Sequence, residues 1–374
     1  MKRLIYGLIK TIFGICLYSI DSICLIIKRR NKRTDKIITI VRLDAIGDFV
    51  IYISSDDLIP RKYKDFRKVL ICNELVLGLA ESLGIFDYII PVNLKKFKTN
   101  LIYRIKILKK VSSIHTHIIL QPTFSRCFET GDTIVRFSNA NLRIAFNGDL
   151  VNQSRFFRLI SDRWYNKLIE PETSTKMELE RNHEFIEKVS KEKISFKKFK
   201  LAKLCDLTFL NNSNKYIIIS PGASSIYRCW PSTRFQKLIK LILEKYDFNI
   251  IICGTRSEEL IINQIINNIN SKLISKSLDQ TLIEYIEMVR NAEFLIGNDS
   301  SSIHIANFVD TKSICLYGGN LPGRFLPYPK GINNRPLIAS NLKCKNQNWY
   351  CSASHNCLNQ INVEDVINLV ENIC

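Results

Sequence analysis

The stretch KIITIVRLDAIGDFVIYIS, Lys36–Ser54, sets one apolar run against a sharp polar break and then a second apolar run. β-Branched residues dominate the first run, so it reads as a buried strand. Asp44, Gly47 and Asp48 mark a loop, and a helix is expected from near Phe49. Strand, loop and helix in that order open a βαβ unit, and the rest of the chain repeats it. KVLICN, YIIPV and HIILQP come next, with a helical pattern over Glu74–Leu83, and KYIIIS, FNIIICG, EFLIGN and SICLYG form a second series. The expected fold is α/β, two Rossmann-like doubly wound domains facing a cleft, behind an N-terminal apolar helix. The charged, irregular region between the two series puts the expected divisions at residues 1–35, 36–210 and 211–374. The last segment, NVEDVINLVENI, reads as an amphipathic closing helix docked across the two domains.

A chain of 374 residues that is 46% apolar can bury more than one core, which agrees with two domains. Lys and Arg are spread along the whole length and leave a net charge of +19, which favours a polyanionic partner: nucleic acid, anionic lipid or a phosphorylated substrate. Cys72, Cys253 and Cys315 lie inside apolar strand runs, where a free thiol behaves as a small hydrophobe, so a reducing compartment is expected.

The first segment, LIYGLIKTIFGICLYSIDSICLII, has no cleavage site of small residues after it and is not a signal peptide. Ile5, Ile9, Ile12, Cys16, Ile20, Ile23 and Ile27 fall on one helical seam, with Gly7, Lys10, Gly14 and Asp21 opposite. That is an amphipathic helix suited to a membrane interface, and it has the length to span a bilayer as well. In either arrangement Lys28, Arg29, Arg30, Lys32, Arg33 and Lys36 keep the body on the cytoplasmic side, peripheral to or anchored at the inner membrane. A helix packed on the protein body is the remaining alternative.

Ligands of doubly wound domains bind beyond the carboxyl ends of the strands, so the loops after strands carry the candidate chemistry. The Asp44–Asp48 loop has one glycine and lacks the G-x-G-x-x-G spacing of a dinucleotide site, which disfavours a dehydrogenase. It offers Gly47 for close backbone approach and Asp48 at a helix start, as an exposed carboxylate or as a helix cap. The loop SPGASSIYRCWP, Ser220–Pro231, combines small residues including Ser224 with Arg228, a fixed cation suited to phosphate. CGTRSEE places Glu258 at a helix start, where it can accept from ribose hydroxyls or complement the helix dipole. GNDSSSIHIA sets Asp299, Ser300 and Ser301 at the N-terminus of a helix with His304 one turn inside, an arrangement suited to a diphosphate.

Taken in order, RLDAIGDFV, PGASSIYRCWP, GTRSEE and GNDSSSIHIANFVDTKSICLYGG resemble glycosyltransferase family 9, the group of ADP-heptose:lipopolysaccharide heptosyltransferases, over roughly residues 36–374. The resemblance implies a GT-B fold, acceptor on the first domain and nucleotide-sugar on the second, inversion at the sugar carbon, and no metal or other cofactor. It also implies roles: Asp48 as general base, Ser224 and Arg228 on donor phosphates, Glu258 on the ribose, and Asp299, Ser300, Ser301 and His304 on the diphosphate and sugar. Gly47 and Asp44 then fall on the acceptor side. Many members carry Lys at the position of Arg228 and Thr-Gly at Ser300-Ser301, so this chain keeps the charge and the small size. The implied partners are a nucleotide-sugar, probed first as the ADP form, a phosphorylated glycolipid or glycan acceptor and the membrane surface, with no nucleic acid.

Two rival functions remain at this stage. A basic nucleic-acid-binding protein fits the charge, though no recognition module is visible, and a catalytically inactive nucleotide-sugar-binding homologue fits the motifs. LKKFKTNLIYRIKILKK, Leu94–Lys110, reads as one basic amphipathic helix that meets acceptor lipid or membrane, or packs its apolar side on the sheet. Cys344, Cys351, His355 and Cys357 have spacings unlike those of a structural zinc site, and local packing or a redox-dependent pair is expected there instead.

Overall fold

The computed structural model describes residues 2–26, 35–55, 58–173, 176–194, 198–207, 215–318, 323–328, 335–338 and 357–374. Among these, two six-stranded parallel sheets carry the chain. Two compact units enclose them: unit 1 comprises Met1–Ala45, Asp57–Ser174 and Arg181–Phe196, and unit 2 comprises Ile46–Asp56, Thr175–Glu180 and Lys197–Cys374.

In unit 1 the strands are β1 (Ile37–Arg42), β2 (Arg67–Asn73), β3 (Tyr88–Val92), β4 (Ile118–Gln121), β5 (Leu142–Phe146) and β6 (Lys167–Ile169), in the order β3-β2-β1-β4-β5-β6. Every residue of β1 and β4 is buried, as a parallel strand covered on both faces requires. Its helices are α1 (Lys2–Ile26), α3 (Leu77–Ser82), α4 (Leu94–Thr99), α5 (Leu101–Ser112), α6 (Thr133–Phe137), α7 (Arg155–Ser161) and α8 (Glu178–Ser190), the last starting within unit 2. Helix α2 (Ile46–Ile53) begins three residues before the expected start and belongs to unit 2.

The stretch Leu94–Lys110 is two helices where one is expected. Asn100 is extended between them, and its side chain accepts from the Tyr103 amide, capping α5 while ending α4. Arg104, on the supposed solvent or membrane face, is fully buried.

In unit 2 the strands are β7 (Tyr216–Ser220), β8 (Asn249–Cys253), β9 (Ile274–Ser277), β10 (Phe294–Asn298), β11 (Lys312–Tyr317) and β12 (Arg335–Ile338), in the order β12-β11-β10-β7-β8-β9. This is the order of the first sheet again, so each sheet reverses direction beside its own first strand. That switch point is where an open α/β sheet binds ligands. The helices are α9 (Ser232–Lys245), α10 (Glu259–Ile266), α11 (Leu282–Asn291), α12 (Ser301–Phe308) and α13 (Val363–Glu371). Helix α9 buries Phe235, Leu238, Ile239 and Ile242, the i, i+3, i+4, i+7 stripe that lays a helix on a sheet.

Unit 2 takes the chain from Lys197 onward, and residues 46–56 and 175–180 also pack with it. Residues 46–56 do so because α2 lies against α12. Helix α13, expected to dock across two domains, packs on α9 and β11 of unit 2. The zinc-like cluster falls almost wholly outside the described residues; only Cys357 is within them.

Trp230 ties the closing segment to this core. It is fully buried, sets its ring edge-on to Phe235 at 5.0 Å, and donates from its indole nitrogen to the Ile361 carbonyl at 3.0 Å. Replacing Trp230 by Ala leaves a cavity and removes one of the two donors to the Ile361 carbonyl, the other being Arg234, and it lowers the unfolding free energy of unit 2 by about 3–5 kcal/mol. Urea titration of the variant reads this directly.

Candidate active site

Unit 2 gathers four sequence-distant segments at the carboxyl ends of β7, β8 and β10. Asn298, the last residue of β10, organises them. It is completely buried; its side-chain oxygen accepts from the Trp230 amide at 2.9 Å and its amide nitrogen donates to the Pro221 carbonyl at 2.5 Å. One side chain thus clamps both ends of the β7 loop. Ser220 adds a hydroxyl contact of 2.7 Å to Ser302 in the first turn of α12.

Within that frame Arg228 donates to the Ser224 hydroxyl at 3.0 Å, to the Asp299 carbonyl at 2.6 Å and to the Asp299 carboxylate at 2.8 Å. Three of the sequence-predicted residues are therefore in direct contact. Ser300 takes the extended N-cap position of α12, and its buried hydroxyl has no hydrogen-bond partner among the described residues. A cap hydroxyl normally accepts from an amide one turn on, so this one and the first amides of α12 are left to a ligand.

Glu258 stands at its helix start and serves as a cap. One carboxylate oxygen closes a capping box on Thr255, accepting from the Thr255 amide at 2.7 Å and from its hydroxyl at 3.0 Å. The other oxygen lies so near Gly222 that a Cβ there would stand 1.8 Å from it. Glycine at 222 is what lets the carboxylate reach the β7 loop.

His304 lies one turn into α12 and is buried, with Nδ1 2.9 Å from the Tyr328 hydroxyl. Burial pushes its pKa down to about 4, the attraction of Asp299 opposing the shift and the repulsion of Arg228 adding to it. The ring is neutral at physiological pH. Tyr328 is the residue missed from sequence; it sits 24 positions on, in a segment with no motif.

Helix α2 packs on α12, and Gly47 is the contact: a Cβ there would come within 2.9 Å of the His304 ring and 3.5 Å of Ser301 Cα. Gly47 therefore lies directly against α12. Asp48 follows it, half-buried in the first turn of α2. Asp44 goes elsewhere. In unit 1 it pairs with Arg42 at 2.8 Å, accepts from Thr123 at 3.2 Å, and lines a cavity of about 350 Å³ at the β1/β4 switch point. Gln121, Thr123, Ser125 and Glu129 line it with Asp44, while Phe13, Leu43 and Leu94 give it apolar walls and Lys98 a cation.

Residues 134–353, more than half of the chain, match the family described as glycosyltransferase family 9 (heptosyltransferase). Lipopolysaccharide heptosyltransferase 3 of Escherichia coli K12 is 27% identical over 129 residues, 34% of this chain and only 38% of that protein. Lipopolysaccharide heptosyltransferase 1 of Campylobacter coli is 24% identical over 351 residues, 90% of this chain and 98% of that protein. Among solved structures, E. coli heptosyltransferase WaaC with ADP-2-deoxy-2-fluoro heptose superposes with a TM-score of 0.66 at 15% identity, over 90% of this chain and all of that one. At that identity the likeness establishes the shared fold, GT-B, with its two parallel α/β sheets.

The neutral His304 has a thermodynamic signature. Its folded pKa of about 4 lies below the 6.5 of the unfolded chain, so between those values the unfolded state binds the extra proton. Stability from this group is complete above pH 6.5 and declines as pH falls to about 4, by roughly 3 kcal/mol in all. Denaturant midpoints measured across that range should fall less steeply for His304→Asn than for the parent chain.

Proposed function

The chain belongs to glycosyltransferase family 9 and is a glycosyltransferase, and from that premise we propose that it transfers heptose with inversion from ADP-heptose to a lipopolysaccharide core or related cell-surface glycan. The observation that carries this reading is the stacking of α2 on α12, which brings the turn of Gly47 and Asp48 beside the N-terminus where Ser300, Ser301 and Arg228 converge. A base and an anion site are thus neighbours within one unit.

The donor diphosphate takes the free amides and the unpartnered Ser300 hydroxyl of α12, and shares Arg228 with Asp299. Glu258 accepts from the ribose through the oxygen facing Gly222. As the acceptor hydroxyl attacks the anomeric carbon, its proton passes to the Asp48 carboxylate. The bond from that carbon to phosphate breaks, and ADP leaves with the electron pair. The charge growing on the diphosphate is met by Arg228 and the helix amides. His304 contributes as a neutral ring with Nδ1 2.9 Å from the Tyr328 hydroxyl; in the tautomer in which that hydroxyl donates to Nδ1, Nε2 carries the proton and can donate. Residues alone supply this stabilisation, and the reading assigns no metal or other cofactor.

Acceptor binding falls to the unit 1 cavity. Its mixture of carboxylate, amide and hydroxyl groups with Phe13, Leu43 and Leu94 suits a sugar, which presents hydroxyls at its rim and C–H groups on its faces. Lys98 is available to an anionic substituent. Together with the positive charge of the chain, a phosphorylated glycolipid at the cytoplasmic face of the inner membrane is the acceptor class that fits.

Two measurements test this. Asp48→Asn lowers turnover by about 10²–10⁴-fold while thermal stabilisation by ADP-heptose persists; turnover at the parent rate removes Asp48 from the base role. A thermal-shift screen of ADP-, UDP-, GDP- and dTDP-sugars should single out the ADP class. Preference for another class reassigns the donor, and ADP-heptose binding without product in the parent chain identifies an inactive homologue.

A further inference from the structure

Helix α1 packs one side on unit 1 and leaves an apolar seam exposed on the other. The side it turns to unit 1 is mixed: Gly14, Leu17 and Asp21 are buried, and Cys24 and Leu25 pack on the unit 1 core. Gly14 sits on the ring of Phe157, where a Cβ would stand 2.6 Å from Cζ. Asp21 is held by Arg104 through two bonds, Nε to Oδ1 at 2.9 Å and Nη2 to Oδ2 at 2.6 Å, with both side chains buried. Ser22 accepts from Arg136 at 2.9 Å. The opposite side carries Ile12, Ile15, Cys16 and Ile23, and the three isoleucines are 53%, 43% and 60% exposed. Helix α7, whose Phe157 meets Gly14, also exposes Phe156 and Leu159, one helical turn apart.

The docked side also meets the cavity. Phe13 lines it directly. Arg104, besides holding Asp21, donates to the carbonyls of Phe97 at 3.2 Å and Glu129 at 2.9 Å, and Lys98 and Glu129 are cavity residues. The position of α1 and the cavity wall are therefore fixed by one guanidinium.

We propose that the outward seam of α1, with Phe156 and Leu159, is a docking surface for an anionic bilayer, and that α1 seats the acceptor cavity at that surface so that a lipid-linked acceptor is taken without leaving the membrane. The second half rests on the glycolipid reading above; the first does not. Charge selects the occupant. The sequence following the helix carries Lys28, Arg29, Arg30, Lys32, Arg33 and Lys36 within a chain of net charge +19. A second copy would carry the same net charge of +19, whereas an anionic lipid surface carries the opposite sign. No helix among the described residues is long and apolar enough to cross a membrane, and a seam confined to one side of α1 matches a helix lying in the interface.

The test is flotation of the full chain with vesicles of phosphatidylcholine containing phosphatidylglycerol, against vesicles of phosphatidylcholine alone, with no acceptor present. The parent chain floats with the anionic vesicles, less so as salt is raised. The Ile12→Ser/Ile15→Ser/Ile23→Ser variant binds about tenfold or more weakly, with an unchanged thermal melt. Leu260→Ser, at an 80% exposed position in unit 2, binds like the parent. A triple variant that floats like the parent overturns the docking surface. So does a parent chain that ignores both vesicle types but is a dimer by sedimentation, with the triple variant a monomer. The acceptor arm compares glycolipid embedded in vesicles with its deacylated, water-soluble form. Loss confined to the embedded form supports the coupling, and equal loss on both overturns it while leaving the vesicle result to stand by itself.

Discussion

Asn298 is the hinge on which unit 2 is assembled. Its amide side chain has a donor and an acceptor, and both are used, on Pro221 and on Trp230, so the loop after β7 is held at both its ends to the end of β10. A fully buried amide left with one bond unmade would be costly, and that penalty restricts the loop to a single path. From this path follow the positions of Arg228 over Asp299, of Trp230 under the closing segment, and of α9, which starts two residues after Trp230. The site has a firm frame because Asn298 is buried with both its donor and its acceptor used.

The strands that matter most were legible because burial on both faces leaves only one kind of sequence: IITIVR, YIIIS and FLIGN announce themselves. Among the edge and near-edge strands, YIIPV and SICLYG were legible, but β5, β6 and β9 were not. LRIAF, KLI and ISKS are short or carry charge at half-exposed positions, and the apolar pattern disappears with the second covering layer. The break at Asn100 was hidden because the apolar residues on either side keep a helical spacing; only the cap interaction reveals it. The loops of the site were legible for a topological reason. Each follows a central strand, and the switch point between β7 and β10 turns them to the same place.

What no local pattern contained was pairing over distance. Asp21 and Arg104 are 83 residues apart, and each taken singly reads as a solvated charge on an amphipathic helix. Together they desolvate each other's partner, a stable arrangement only when both are present, since removing one leaves a buried charge alone. Tyr328 and His304 are the same case in neutral form. The sequence places a histidine at a helix start; the fold decides that it is uncharged, and so decides that it donates one hydrogen bond and brings no positive charge to the phosphates.

This division of charge has a consequence for catalysis. With His304 neutral, Arg228 is the cation in direct contact with the α12 turn, and it is already shared with Asp299. A diphosphate entering there meets one positive and one negative side chain, so most of its stabilisation must come from oriented dipoles: the first amides of α12 and the unpartnered hydroxyl of Ser300. Such dipoles are fixed by the fold and would need little reorganisation if charge moved from a breaking bond to a leaving phosphate, as the proposed transfer requires. Asp299 fits that proposal in a way simple attraction would not. It holds Arg228 in place through its carbonyl and its carboxylate, and by sharing that cation it would keep the grip on a departing diphosphate weaker than a cluster of unpaired cations would.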